Sequence, residues 1–380
     1  MAEVIIQECP GYDLQVLTAK LNEGMALLGG WGRFIRPGQK VLLKVNLIGP
    51  KTSESAAVTH SEFARALTRI LKREGCEVWI GDSSGGAIAG IAPTKRAFET
   101  SGLQKIATEE GAILKNFDRE GVVEITPPGK TNRLYLARPL FEADLVINLP
   151  KLKTHSAGVY TGAVKNFFGC VPGLRKAAYH QAAPDPGDLG QVFSDIHRSV
   201  KAGLHIMDGV TAMDGAGPTA GKVYPAHKIL ISTDPLALDT VAARMIGLGV
   251  EEIPTLRAAI ADGLGVSDLN RIKLAGDYHT IPMLHGFKIP RPRRTKGGSQ
   301  FLIRLIDFLK TRPRIQTKIC KNCNTCVDSC PVGAIDRDSK RVDDTKCIEC
   351  LCCHELCMYK AVRLKHDHWL AGLLTGFRED

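Results

Sequence analysis

The sequence lacks any long hydrophobic stretch: none of its apolar runs approaches the roughly 18 uncharged residues that a membrane-spanning helix needs. The N-terminus, MAEVIIQECPGYD, also lacks the basic segment and long apolar stretch of a secretory signal. Both absences argue against a membrane-spanning or secreted protein. We therefore expect a cytoplasmic protein with no transmembrane segment, and 380 residues predict two or three domains.

Common nucleotide-binding and hydrolase motifs are missing as well. There is no G-x-G-x-x-G, and GAGPTAGK (215–222) has the wrong spacing for a phosphate-binding loop and no Ser or Thr after its lysine. GDSSG (81–85) matches the G-x-S-x-G of serine hydrolases, but the next helix signal comes only at Pro93, whereas that motif needs a helix at once. The sequence supports neither a nicotinamide cofactor in its usual pose nor a serine hydrolase.

Basic residues are concentrated in one segment. The formal net charge is +10, and ten Lys or Arg lie between Lys288 and Lys318 against one acid, Asp307. A charge so local fits a solvated linker or a docking surface for an acidic electron donor or acceptor protein, with a nucleic-acid or membrane-surface contact less favoured. We expect any redox partner to dock on residues 288–318, and we expect no nucleic acid.

Cysteine is abundant only at the end of the chain, where nine of the twelve cysteines lie at or after Cys320. The spacing C-x2-C-x2-C-x3-C occurs there twice. The first run is Cys320, Cys323, Cys326 and Cys330, and the second is Cys347, Cys350, Cys353 and Cys357. Cys352 is out of register, so it is the spare thiol.

Two such runs predict two [4Fe–4S] clusters. In two-cluster ferredoxins the fourth cysteine of each run binds the other cluster. By that rule Cys357 joins the first three cysteines of the first run, and Cys330 joins the first three of the second. Zinc sites use two separated C-x2-C pairs, and disulfides do not suit a cytosolic chain, so both alternatives are weak.

The cysteine-rich stretch resembles the bacterial dicluster ferredoxins over residues 319–363. It departs from them at Met358, where the family usually has a proline after the fourth cysteine of the run. The turn there should be less rigid, and the potential of the cluster that Cys357 binds could differ. We expect Cys352 to pack as a small apolar residue, with a redox or ligand-exchange role as the alternative.

Helices are predicted on both sides of the ferredoxin stretch. FLIRLIDFLK (301–310) reads as an amphipathic helix, and apolar residues recur at helical spacing near the C-terminus, at Trp369, Leu370, Leu373, Leu374 and Phe377. We expect these helices to clamp the ferredoxin onto the main body, with a membrane-surface helix as the alternative. The expected divisions are an α/β domain (1–285), a basic linker with its helix (286–318), a ferredoxin domain (319–363) and a C-terminal amphipathic helix (364–380).

Residues 1–285 alternate short β-rich runs with helical stretches, as in an α/β sheet. Five runs begin apolar and end polar: KVLLKVNLI (40–48), CEVWIGDSS (76–84), ADLVINLPKLKTH (143–155), GLHIMDGVTAMDG (203–215) and HKILISTDPLALD (227–239). Helices fit over 61–74, 188–200 and 235–246. The pattern predicts a mostly parallel α/β sheet, followed by the small α+β ferredoxin domain.

The polar ends of these runs predict a ligand crevice, because open α/β sheets bind ligands outside the carboxyl ends of their strands. The residues expected to converge there are Lys44, Asn46, Asp82, Ser83, Asn148, Lys151, Lys153, His155, Asp208, Asp214, Ser232 and Asp234. Asp234 precedes Pro235 and is also a natural helix cap. The run KLKTH suits an anionic ligand or a metal.

The segment 153–180, together with IMDGVTAMDGAGPTAG and STDPLALD, resembles the family catalogued as domain of unknown function 362, whose members often carry a C-terminal dicluster ferredoxin. This resemblance covers residues 1–285 and implies an architecture without an established reaction. A more distant similarity links Gly162, Lys165, Pro172, Gly173 and His180 to lactate racemases, in which a lysine anchors a nickel-pincer nucleotide and a histidine ligates nickel. For Lys165 and His180 we expect anion contacts or satisfied polar contacts instead.

The sequence as a whole favours an oxidoreductase that passes electrons through two [4Fe–4S] clusters to a small anionic substrate. Lys153, His155 and Lys165 are the candidate catalytic residues. The candidate substrate-binding residues are Lys44, Asn46, Asp82, Lys151, His180, Asp208 and Asp214. The alternatives are a non-catalytic electron carrier or redox sensor that recognises a protein, and a metal- or nucleotide-dependent enzyme whose clusters are structural.

Overall fold

The computed structural model describes residues 1–85, 92–173, 175–183, 186–200, 202–290 and 311–366. We call residues 1–290 the main domain and residues 311–366 the cysteine-rich module. Strands of the main domain are β1 (Ala2–Glu8), β2 (Lys40–Lys44), β3 (Glu77–Asp82), β4 (Ile113–Asn116), β5 (Val122–Ile125), β6 (Leu134–Ala137), β7 (Leu145–Asn148), β8 (Lys151–His155), β9 (Val159–Thr161), β10 (Ala202–Asp214), β11 (Lys222–Ser232) and β12 (Ile272–Gly276).

Helices of the main domain are α1 (Leu14–Leu27), α2 (Ser61–Arg73), α3 (Thr94–Thr100), α4 (Leu103–Glu109), α5 (Pro139–Glu142), α6 (Ala163–Asn166), α7 (Arg175–Ala182), α8 (Pro186–Ser199), α9 (Pro235–Met245) and α10 (Pro254–Ala261). The helices expected near 61–74, 188–200 and 235–246 are therefore present as α2, α8 and α9. None of the helices in the described ranges is long and apolar enough to cross a membrane.

The main sheet has the strand order β12-β1-β11-β10-β7-β2-β3-β4, with β8 and β9 attached beyond β10. Its strands are parallel except where β11 pairs with β1 and β10, and where β9 pairs with β8. Helices α1 and α2 pack on one face, and α8, α9 and α10 pack on the other. The predicted α/β fold with a mostly parallel sheet is confirmed.

The run expected to be one strand over 143–155 forms two strands. Pro150 has no N–H to donate, and the chain leaves the sheet between β7 and β8. The long strand β10 pairs first with β7, through His205 and Asn148, and then with β8, through Asp208 and Lys151. The sequence KLKTH is therefore a buried strand in its own right, not the polar end of one.

The run HKILISTDPLALD (227–239) was expected to point its polar end, with Ser232 and Asp234, into the crevice. This prediction is wrong. Because β11 is antiparallel to its neighbours, its C-terminal end lies beside the start of β1, where Ser232 pairs with Val4 and its hydroxyl donates to the carbonyl of Glu3. Asp234 caps α9 by accepting from the backbone N–H groups of Leu236 and Ala237.

The cysteine-rich module is closed by two outer strands, β13 (Thr311–Ile315) and β14 (Val362–His366), which pair antiparallel. The pair extends past the predicted limits of 319 and 363, and residues 364–366 are strand where a helix was expected. Arg312 and Arg314 lie in β13 and pair with Asp344, which neutralises part of the basic segment. Residues 291–310 and 367–380, with the helices predicted there, lie outside the described residues.

Two buried histidines lie side by side, His197 on α8 and His205 on β10. The ring of His197 lies 4.8 Å from Phe167 and 5.4 Å from His205, between ring centroids. Burial lowers the pKa of His197 to about 3. The unfolded chain then binds a proton below pH 6.5 that the folded chain does not bind, so stability falls as the pH falls from about 6.5 toward 3.

We expect His197→Phe to flatten this dependence. As the pH falls from 5.5 to 4.5, the wild type should lose about 1.4 kcal/mol more unfolding free energy than the variant. Denaturant unfolding at several pH values in this range measures the difference. Equal slopes for the two proteins would show that His197 accepts a proton without leaving its buried position.

Candidate functional site

A cavity of about 110 Å³ lies between the main domain and the cysteine-rich module. It has room for roughly seven to ten water-sized groups, which is the size of a small metabolite. The main domain lines it with Asn46, Asp82, Ser83, Lys153, His155, Lys165, Lys176 and His180, among others. The module lines it with Ser329, Cys352, Glu355 and Leu356.

Strand ends position one side of the cavity. Asp82, at the end of β3, pairs with Lys44, at the end of β2, across 2.9 Å, and both side chains are buried. Asp82 also accepts from the backbone N–H of Leu47, which fixes the loop that carries Asn46. Lys44 thus lies behind the cavity wall, where it holds Asp82 in place.

Lys153, from β8, is a buried lysine without a counter-charge. Its ammonium donates to the side-chain oxygen of Asn46 and to the carbonyl of Ala57, both at 2.6 Å, and no carboxylate of the described residues lies within ion-pair distance. Burial holds the pKa of Lys153 well below its usual range. A bound anion would supply the missing charge.

Lys176, from α7, is a second lysine of the cavity with no carboxylate of the described residues within ion-pair distance. Its ammonium donates to the hydroxyl of Ser83 at 2.7 Å and to the carbonyl of Ser84. Burial lowers the pKa of Lys176 to about 8. The lysine is therefore largely charged near neutral pH, and its side chain lines the cavity.

His155, at the end of β8, connects the two domains. Its Nδ1 accepts from the backbone N–H groups of Ala157 and Gly158, at 3.2 and 2.9 Å. Its Nε2 lies 2.9 Å from a carboxylate oxygen of Glu355 and 2.8 Å from the amine of Lys165. Glu355 lines the cavity beside both groups and is the carboxylate of this cluster.

His180, on α7, lies on the same side as His155. Its ring packs edge-on against Phe168, with 5.5 Å between centroids. Burial lowers the pKa of His180 to about 4, so the imidazole is neutral at physiological pH. Both histidines of the cavity can therefore donate or accept a hydrogen bond without adding charge.

Four of the predicted substrate-binding residues do not line the cavity. Lys151 and Asp208 form a fully buried ion pair at 2.8 Å, and the hydroxyl of Tyr12 also donates to Asp208. Asp214 accepts from the backbone N–H of Lys288. The structure thus brings together Asn46, Asp82, Lys153, His155, Lys165 and His180, and uses the other four, Lys44 among them, within the fold.

Three features of the site were not predicted from the sequence: Lys176, Glu355 and the cavity position of Cys352. Lys176 lies inside the glycine-rich run that was singled out, so its charge was a usable signal. Cys352 was noticed as the spare thiol, and its side chain faces the cavity where simple packing was expected. No feature of the sequence around Glu355 indicated that it lines the cavity, because its position there depends on contact between the main domain and the module.

The cysteines of the module gather in two groups, and none forms a disulfide. Burial and the nearby thiols of Cys357, Cys320 and Cys323 raise the pKa of Cys326 to about 11. Burial also raises the pKa of Cys347, to which Cys350 and Cys330 contribute. Cys357 therefore lies near Cys326 of the first run, and Cys330 lies near Cys347 of the second.

The backbone conformation repeats in the two halves of the module, as the cysteine spacing does. Positive φ angles occur at three pairs of equivalent positions in the two halves of the module: Asn322 and Glu349, Asn324 and Leu351, Gly333 and Lys360. The N–H groups of Ala334 and Ala361 donate to the sulfurs of Cys330 and Cys357, both at 3.2 Å. Left-handed turns that direct N–H groups at sulfur suit an anionic thiolate cluster, so these residues fit iron–sulfur ligation.

The fold and the cysteine groups together define an iron–sulfur protein with an α/β main domain. Comparison with known families agrees: residues 41–244 match the domain of unknown function DUF362, and residues 312–358 match the 4Fe–4S dicluster domain. The first match spans more than half of the chain. The protein belongs to the DUF362 family and carries a C-terminal 4Fe–4S dicluster domain.

A curated relative is a thylakoid-associated protein from Synechocystis sp., 33% identical over 255 residues, which are 67% of this chain and 77% of that protein. Among solved structures, the lactate racemase apoprotein from Thermoanaerobacterium thermosaccharolyticum matches 61% of this chain with a TM-score of 0.40 and 12% identity. A protein from Thermotoga maritima matches 57% of it with a TM-score of 0.38 and 14% identity. The chain spans only 54% and 56% of these two structures.

Proposed function

We propose that this protein is an oxidoreductase that passes electrons from two [4Fe–4S] clusters to a small anionic compound bound in the cavity. The observation that carries the proposal is the composition of the cavity wall. One side presents Lys153, Lys165 and Lys176, and the other side presents Cys352 and Glu355, which are neighbours in sequence of the cluster cysteines. A compound in the cavity would therefore touch both domains at once.

Eight cysteines would hold the clusters. Cys320, Cys323, Cys326 and Cys357 would form one site, and Cys347, Cys350, Cys353 and Cys330 the other. When bound, the clusters supply single electrons at potentials set by hydrogen bonds and burial. The chain contributes the N–H groups that donate to sulfur, together with the walls that limit contact between water and the cavity.

The main domain would bind the compound and manage its protons. Lys153 and Lys176 would bind the negative charge of the ligand. Because they donate to separate sets of oxygens, they would contact two ends of it. His155 and His180 are neutral and can hold or pass a proton at a ring nitrogen. Lys44 and Asp82 keep the loop of Asn46 in position.

A redox partner protein is implied by the dicluster domain. Docking of that partner on the basic segment 288–318 stays a prediction. Arg312 and Arg314 give it little support, because Asp344 pairs with both. Location in the cytoplasm also stays a prediction.

We expect Lys153→Met to slow electron transfer to the compound at least about tenfold, equivalent to roughly 1.4 kcal/mol in the transition state. The ammonium that would meet the anion is removed, whereas methionine fills a similar volume. The reduced protein is mixed anaerobically with a metabolite extract, consumed compounds are identified by mass spectrometry, and reoxidation is followed by absorbance. Iron content should stay unchanged.

Lys222→Met, which removes an exposed lysine, is the matched control and should react at the wild-type rate. If no compound in the extract reoxidises the wild type, the protein is a carrier or sensor and the proposal fails. An unaltered rate in Lys153→Met would place the substrate elsewhere.

A further inference from the structure

The hydrogen bonds of His155 determine which of its nitrogens carries the proton. Because Nδ1 accepts from two backbone N–H groups, those of Ala157 and Gly158, it is unprotonated. Burial lowers the pKa of His155, so the ring is neutral and its one proton sits on Nε2. Nε2 is therefore a donor.

This proton faces the amine of Lys165, whose nitrogen lies 2.8 Å from Nε2. An ammonium has three donor hydrogens and no lone pair, so it cannot accept from an N–H group. A neutral amine can. Glu355 lies 2.9 Å from the same Nε2, and Lys165 itself has no carboxylate of the described residues within ion-pair distance.

The other surroundings of Lys165 also bear on its charge. Lys153 is a neighbouring lysine whose own pKa burial holds well below its usual range, His180 is neutral, Cys352 lines the same wall, and the ring of Phe193 lies 5.5 Å from the amine. Glu355 and Phe193 favour the ammonium form. Burial opposes them and lowers the pKa of Lys165. A buried lysine in this state is a nucleophile.

We propose that Lys165 is held as a neutral amine by His155 and forms an imine with a small oxo acid in the cavity. This inference rests on the proposed function, because it names the class of the anionic compound. The amine nitrogen adds to the carbonyl carbon, and loss of one water leaves the C=N bond. Addition of water reverses the reaction and frees both the oxo acid and the lysine.

The remaining cavity groups fit an oxo acid. Its carboxylate needs a cation, and Lys176, which is largely charged near neutral pH, lines the same cavity as Lys165. A cavity of about 110 Å³ admits compounds of pyruvate or oxoglutarate size. Reduction of the C=N bond itself would leave the lysine alkylated, and this property makes the linkage testable.

The test is trapping with sodium cyanoborohydride. The holoprotein is incubated anaerobically at pH 7 with pyruvate, 2-oxobutyrate, oxaloacetate or 2-oxoglutarate, and then examined by intact-mass and peptide mass spectrometry. For at least one acid we expect an adduct on Lys165, equal to the mass of the oxo acid less one oxygen atom. Yields at pH 7 and pH 9 should agree within about twofold, because the amine is already neutral.

Lys165→Met should lower the adduct yield more than tenfold, and Lys222→Met should leave it unchanged. The inference is overturned if none of the four acids is trapped, if the adduct lies on another lysine, or if the yield rises steeply between pH 7 and pH 9. Calorimetric binding of the same acids separates the two proposals. Binding without an adduct rejects the imine alone, whereas an adduct in a protein that no compound reoxidises rejects the electron-transfer function alone.

Discussion

Replacing Cys330 with serine should halve the iron content of the protein, from about eight to about four irons per chain. Cys330 lies in the first run, but its sulfur groups with Cys347 and Cys353 of the second run. Loss of this thiolate leaves one cluster with three protein ligands, so the second site should be damaged while the first stays filled. Iron analysis after anaerobic reconstitution, with electron paramagnetic resonance of the reduced protein, measures the change.

Cys352→Ser is the matched control, because it removes a thiol from the same module without removing a ligand. Its iron content should equal that of the wild type. Loss of a cluster in Cys352→Ser, together with full iron in Cys330→Ser, would mean that the spare thiol has been misassigned. A wild type with about four irons and bound zinc would overturn the dicluster interpretation itself.

Lys151→Met should lower the unfolding free energy by about 3–5 kcal/mol. The lysine and Asp208 are both fully buried, and removal of the ammonium leaves a carboxylate whose remaining donors are the Tyr12 hydroxyl and the backbone N–H groups of His60 and Val210. Such a carboxylate is costly to bury without its cation. Denaturant unfolding of the anaerobic protein measures the loss.

The double variant Lys151→Met with Asp208→Leu tests the cause of this loss. It shows whether stability falls because a carboxylate is left buried without its cation or because the contacts of Lys151 are lost. Since a buried ion pair is often no more stable than apolar residues of similar size, the double variant should recover much of the stability. Lys153→Met, which removes a cation with no carboxylate partner among the described residues, should cost far less. Comparable losses in Lys151→Met and Lys153→Met would indicate that the two lysines have the same role.

Much of the fold and some of the site could be predicted because the signals are local. Cysteine spacing indicated the ligand sets, since short loops between thiols restrict how they can converge. Apolar runs located β2, β3 and β10 for the same reason. Lys153 and His155, which line the cavity, were singled out because they directly follow an apolar run.

The wrong predictions concern contacts between residues that are far apart in the chain. The direction of β11 depends on its hairpin with β10, and nothing within residues 227–239 specifies it. Lys151 and Lys153 look equivalent in the sequence, but one meets Asp208 across the sheet and the other meets only neutral oxygens. The contact between His155 and Glu355 joins residues far apart in the chain, and no sequence period links them.

The repeated cysteine spacing suggests that the two halves of the module arose by duplication and have since diverged at equivalent positions. The helix Thr325–Asp328 of the first half corresponds in position to the start of the helix Cys352–Leu356 of the second. Where the second half has Cys352 and Glu355 at the cavity, the first has Thr325 and Asp328, which do not line it. At these two positions only the second copy contributes side chains to the cavity, so a ligand bound there would constrain substitutions at Cys352 and Glu355 and not those at Thr325 and Asp328.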